Sequence, residues 1–158
     1  AVSSALDEVA ADIVAYAGRD LLCYRAQAPH DLAERQSKAW DPVLAWARDA
    51  LGARFAVAEG VMPIDQPHAT LTAFAKALQP HDAFRLTALH VMTTLTGSAI
   101  LALAHGRGAL DAGDAWAAAH VDEDHQIALW GEDYEASEKR KRRKAEFDAA
   151  SRFLKSLR

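Results

Sequence analysis

The sequence predicts a mainly α-helical domain, a bundle-like packing of about six helices with one small two-stranded ribbon. Three observations carry this reading. Alanine, the strongest helix former, fills 36 of the 158 positions. Eight glycines and five prolines leave little material for a turn-rich all-β fold. Nearly every apolar run recurs at spacings of three and four, the period of a helix face. The length suits one domain, and 51% apolar with 25% charged residues is a globular balance.

Leu6, Val9, Ala10, Ile13, Val14 and Ala17 form the first stripe. Ser4 followed by Asp7 reads as its start, and Gly18 as its stop. Leu21–Tyr24 is strand-compatible and ends before Pro29. Asp31–Ala39 reads as a helix. Asp41 and Pro42 then restart one, as N-cap and first helical residue, and Gly52 stops it. Phe55–Ala58 alternates large and small, and pairs best with Leu21–Tyr24. A helix from Pro67 to Gln79 is closed by Pro80. Ala83–His105 reads as one long apolar helix, Ala112–Trp130 as the next, and Asp133–Leu157 as the last. Leu86–Ala104 carries no Asp, Glu, Lys or Arg. With its threonines and His90 it reads as a helix buried in a bundle, so no membrane insertion is expected.

Net charge is −4, against general nucleic-acid affinity. The charges are unevenly placed. Seven acids lie between residues 122 and 138, and residues 139–144 are six consecutive bases. Six bases wrap more than one helical turn, so they read as a solvated surface paired to the preceding acids; a phosphate-binding or nuclear-signal patch and contact with an acidic partner protein are the alternatives. The single cysteine, Cys23, excludes an internal disulfide and a thiolate metal cage. It reads as a small buried thiol.

Trp116, Glu123 and Trp130 are spaced by seven, so on one unbroken helix they share a line with Ala119, Ile127 and the stem of Gln126. Asp122 and Asp124 then point about 100° to either side. Glu123 becomes a carboxylate on a Trp-flanked apolar face. It is either satisfied by a local donor or offered to a partner. His120, Glu123 and His125 are the residues a metal-dependent hydrolase would use, but a gap of five between the histidines diverges on a helix. No nucleophile motif or phosphate-cradling loop is present, and Gly106-Arg107-Gly108 is too short for one. Gly97, beside Ser98, reads as a helix-interior glycine allowing close packing.

Several strings resemble one family. Val121-Asp122-Glu123-Asp124-His125-Gln126-Ile127 followed by Trp130-Gly131-Glu132-Asp133 is similar to the signature of the ATP synthase assembly chaperones that act on the alpha subunit. So are Asp20–Arg25, Trp40-Asp41-Pro42 with the residues to Trp46, Glu59-Gly60-Val61 and Thr96-Gly97-Ser98. The order holds over about residues 6–155. The resemblance implies a chaperone, not an enzyme, that binds the free alpha subunit of the soluble catalytic sector and shields a surface later covered by beta. It implies partner-binding roles for Asp122, Glu123, Gln126, Ile127, Trp116 and Trp130, and structural roles for Trp40, Asp41, Pro42, Gly97 and Gly131. No cofactor or metal and no nucleic acid is expected, and the chain is expected to be a monomer. Residues 1–158 form a single helical client-binding domain in this reading. Family members carry a β-rich domain before it, and an opening at Ala1 without Met fits removal of such a segment. The basic run and the Ala-rich, Arg-rich composition favour a bacterial cytoplasm, with the mitochondrial matrix the eukaryotic counterpart. A metal hydrolase on His120, Glu123 and His125, and an adaptor or nucleic-acid binder on residues 139–144, are the competing functions.

Overall fold

A computed structural model describes residues 2–157, with side chains from residue 5. Eight α-helices occur among them: α1 (Val2–Gly18), α2 (His30–Leu51), α3 (His68–Leu78), α4 (Ala83–Thr96), α5 (Ala99–Gly106), α6 (Ala112–Ala119), α7 (Val121–Trp130) and α8 (Tyr134–Ser156). The two strands, β1 (Tyr24–Arg25) and β2 (Ala58–Glu59), pair in parallel, Tyr24 against Ala58 and Arg25 against Glu59. The ribbon therefore forms, but shifted toward the C-terminal end of both expected segments. Leu21–Cys23 is a 3₁₀ turn instead, capped by Asp20. α1 already includes residue 4, so Ser4 does not precede the helix; its side chain lies outside the described ones.

α4 is the hub, packed against α1, α5 and α8. α5 is buried along its whole length from Ala99 to His105. Leu89 and Met92 of α4 share one hydrophobic core with Ile13, Leu22, Trp40, Phe74 and Phe147, all with almost no exposure. Burying a side chain of this size stabilises by roughly 1.5–3 kcal/mol, and this is the main driving force for the bundle.

Three further helix boundaries differ from the sequence expectation, each for a physical reason. Asp41 and Pro42 do not start a helix; they lie inside α2. Proline removes one ladder bond and costs about 3 kcal/mol in a helix interior. Pro42 sits on the exposed face, while Gln36, Trp40, Val43 and Ala47 are buried on the other side and hold the helix through it.

The expected long apolar helix is two helices, because Gly97 ends α4 in the left-handed region at φ 76°. Ser98 immediately starts α5, its hydroxyl accepting from the Leu101 N–H at 3.0 Å. Gly97 is thus a C-terminal cap, and an added Cβ would meet nothing within 4 Å, so close packing is not its role.

Ala112–Trp130 is also two helices. The His120 imidazole Nδ1 lies 2.7 Å from the Trp116 carbonyl, the acceptor that the His120 N–H would use in a continuous helix. The His120 N–H instead donates to Ala117 O at 3.1 Å, and the backbone turns.

Arginines finish several helix C-termini. Arg107 donates to Ala77 O at 3.0 Å at the end of α3. Arg143 donates to Leu95 O at the end of α4, and Arg85 to Leu157 O after α8. Each satisfies a carbonyl that the helix leaves unpaired, with charge matched to the helix dipole. No helix among the described residues is long and apolar enough to cross a membrane.

Candidate partner-binding groove

The break at His120 removes the seven-residue line on which Trp116, Glu123 and Trp130 were expected to align. Tertiary packing nonetheless brings these residues together. α7 ends at Trp130, Gly131 turns the chain at φ 84°, and Asp133 caps α8 by accepting from the Glu135 N–H. The two helices enclose a cavity of about 650 Å³. Its α7 wall carries Glu123, Asp124, Gln126, Ile127 and Trp130. Ala136, Ser137, Arg140, Lys141 and Lys144 form the α8 wall.

Trp116 contributes to the lining from below. It is only 5% exposed, with its ring 5.3 Å from Phe147 and 4.1 Å from the His120 imidazole. Most of the ring therefore belongs to the core. Trp130 is the opposite case, 80% exposed at the mouth, with Leu129 and Tyr134 also exposed beside it in sequence. Leu129, Trp130 and Tyr134 together place three large, mostly apolar side chains in water around the Gly131 turn, which makes the mouth of the cavity a candidate contact surface.

The acids divide between two surfaces. Asp124 accepts from Arg140 Nη1 at 2.6 Å, and Glu123 lies 3.7 Å from the same nitrogen. Asp124 therefore shares the groove with Glu123 and does not point away from it. Asp122 does point away. It accepts from Gln36 Nε2 at 2.7 Å, and Gln36 Oε1 accepts from the Ala26 N–H, so Asp122 ties α7 to α2 and to the end of β1.

His120 and His125 do not converge on Glu123. Burial holds the His120 imidazole below its ordinary pKa, and with a carbonyl facing Nδ1 the neutral ring carries its proton there. His125 is buried, with no hydrogen-bond partner for either ring nitrogen among the described residues and Asp31 of α2 at 4.0 Å. Among the described residues no three His, Cys, Asp or Glu side chains gather as a metal-holding group. Cys23 is buried, its thiol pushed up to about 12 chiefly by burial, so it is no nucleophile at neutral pH.

The basic run is largely committed within the chain. Besides Arg140 and Arg143, Lys141 pairs with Glu138 at 3.2 Å and Lys144 with Asp148 at 2.8 Å. Sequence reasoning did not single out Arg140. The available signal was the Gly131–Asp133 helix restart, which predicts a turn and so a second wall facing α7.

The remaining motif residues meet one another. Asp20 is fully buried, accepting from the Ser98 hydroxyl at 2.6 Å, the Ile100 N–H at 3.0 Å and the Leu22 N–H at 3.2 Å. Leu21 N–H donates to Gly97 O. Trp40 Nε1 donates to Ala118 O at 2.7 Å, Arg25 lies 5.3 Å over the Trp40 ring, and Arg25 pairs with Asp41 at 2.8 Å. Gly60 N–H donates to Arg25 O at 2.9 Å.

The family model described as ATP12 chaperone protein matches residues 2–48. Among solved structures the chain is similar to a chaperone candidate from Agrobacterium tumefaciens, at 50% identity and TM-score 0.95, over 100% of this chain and 59% of that one. It is similar to Atp12 from Paracoccus denitrificans at 40% identity and TM-score 0.94, over 99% of this chain and 67% of that one. An aspartate-to-lysine mutant of the Paracoccus protein gives 39% and 0.95 over the same shares. The chain thus spans about three fifths to two thirds of these relatives' lengths. On this identity and coverage, the chain belongs to the ATP12 chaperone family.

Proposed function

We propose that the chain works by binding and not by catalysis, capturing the unassembled alpha subunit of the F-type ATP synthase catalytic sector before beta covers its interface. The α7–α8 groove is the capture surface in this reading. The observation that carries it is Trp130, 80% exposed at the mouth of a cavity whose α7 wall holds Glu123. An apolar anchor beside a carboxylate fits an interface that is transiently bare and later buried. Ile127 and Gln126 extend the wall, Trp116 supplies the floor, and Asp122 fixes α7 in place. A bacterial cytoplasm is the proposed compartment, supported by relatives from Agrobacterium and Paracoccus.

Co-expression of tagged chain with the alpha and beta subunits, followed by pull-down, tests the proposal. Recovery of alpha without beta is the expected result. Recovery of neither, or of both equally, overturns it for this chain.

A further inference from the structure

Two carboxylates in the groove share one guanidinium. Arg140 is close to Asp124, at 2.6 Å, and holds Glu123 only loosely, at 3.7 Å. The other bases on that wall, Lys141 and Lys144, pair instead with Glu138 and Asp148 outside the cavity. On the opposite rim Glu132 has no ion-pair partner among the described residues, and Asp133 serves as the α8 cap. The groove therefore carries unneutralised negative charge beside the apolar surfaces of Ile127 and Trp130.

We infer that the groove is selective for an apolar segment bearing a single basic side chain, and that Arg140 is a latch occupying the cation's place until that side chain displaces it from Glu123. This rests on the α7–α8 groove being the capture surface, and names the chemistry of what it captures. Arg140 is suited to the role because it is 22% exposed, within reach of an incoming segment yet held against α7. Its contact with Asp124 can persist while the long contact to Glu123 is given up. An incoming cation then meets a carboxylate that is only 36% exposed, and pairing with it avoids burying an unpaired charge. An acidic or uncharged segment gains nothing from Glu123 and leaves the latch closed.

The full chain is titrated with two short synthetic amphipathic peptides, identical leucine-rich sequences differing only in one central arginine or norleucine. Binding is followed by tryptophan fluorescence, with Trp130→Phe as the control that assigns the signal. The arginine peptide is expected to bind the tighter of the two. In Arg140→Gln its affinity rises about 2- to 5-fold, the worth of an exposed ion pair no longer competed for. The gain vanishes when Glu123→Gln is added, and the norleucine peptide is indifferent to both changes. Thermal melts of each variant exclude a folding defect as the cause. Equal affinity for the two peptides, or weaker arginine-peptide binding by Arg140→Gln, overturns the inference. The same variants are tested in parallel against isolated alpha subunit. Peptide selectivity without alpha-subunit capture leaves the latch intact and sinks the client assignment; alpha-subunit capture without peptide selectivity does the reverse.

Discussion

Asp20 offers a test in which burial and hydrogen bonding pull in opposite directions. Its carboxylate receives the Ser98 hydroxyl, the Ile100 N–H and the Leu22 N–H, all of which favour ionisation. It is also fully buried, and burial outweighs these donors, pushing its pKa from 3.8 up to about 7. The folded state therefore holds a proton between these two values that the unfolded state releases. Stability is greatest below pH 4 as far as this group is concerned, and falls as pH rises to 7 by about 1.4 kcal/mol per pH unit. Over the roughly three units involved the loss approaches 4 kcal/mol, an upper bound because relaxation softens a buried charge. Asp20→Asn removes the titration. The amide keeps one acceptor but opposes its NH₂ to a backbone or hydroxyl donor, a mismatch of about 1–3 kcal/mol. At pH 4 the variant is expected to be the less stable protein. By pH 8 its deficit shrinks or reverses. Urea unfolding of both proteins at half-unit steps from pH 4 to 8 reads the difference directly. A gap that stays constant with pH would show that the three donors hold an ordinary ionised carboxylate, and would refute the reasoning.

Glu123→Lys faces Arg140 with a like charge, yet both are partly in water, so the melt is expected to move little while alpha-subunit binding falls on the order of 30-fold or more; a collapsed melt would instead make Glu123 structural. Trp130→Ala, at a residue 80% exposed, is expected to change unfolding free energy by no more than about 0.5 kcal/mol and to cost about 30-fold in binding if Trp130 is an anchor, which calorimetry and a client titration measure together. Gly97→Ala places a Cβ at φ 76°, a strain of about 1–2 kcal/mol. It is expected to lower Tm by roughly 2–6 °C despite the open space around it. Trp40→Phe leaves the buried Ala118 carbonyl without its donor and should cost about 1–3 kcal/mol by denaturant titration, with α6 loosened first in hydrogen exchange.

The fold class was legible because helix propensity and apolar period agree along the chain, and because helix starts such as Pro67, with its fixed φ, and Asp133, with its capping carboxylate, are marked by ordinary helix-opening residues. The misplaced boundaries are places where a local rule meets a competing contact. Thr96-Gly97-Ser98 contains a left-handed stop followed by an N-cap, a legible signal obscured by apolar residues that continue in period on both sides. The His120 break was not legible, since nothing in the sequence says that an imidazole will take the Trp116 carbonyl. Pro42 failed the other way: burial of Trp40, Val43 and Ala47 carried α2 through a residue that usually starts or ends a helix.

The groove was partly legible for a reason that turned out to be incomplete. Seven-residue spacing put Trp116, Glu123 and Trp130 together on an unbroken helix, whereas the structure gathers them because α7 turns at His120 and α8 returns after Gly131. The strings that carried the family resemblance divide along the same line. Asp20 reaches Ser98 across 78 positions, Trp40 reaches Ala118 across 78, and Gln36 reaches Asp122 across 86. These are polar clamps that close distant segments onto α5, α6 and α7, and no window of sequence contains both ends. A buried donor or acceptor without its mate costs more than a typical made bond contributes, so such clamps enforce one register of packing more than they add net stability. The last of them, Gln36 to Asp122, ties α7 to α2, while Glu123 on the same helix faces Arg140. The residues that give the chain its recognisable pattern are therefore in good part those that close the fold, and in the proposed reading only a few are those that a partner would touch.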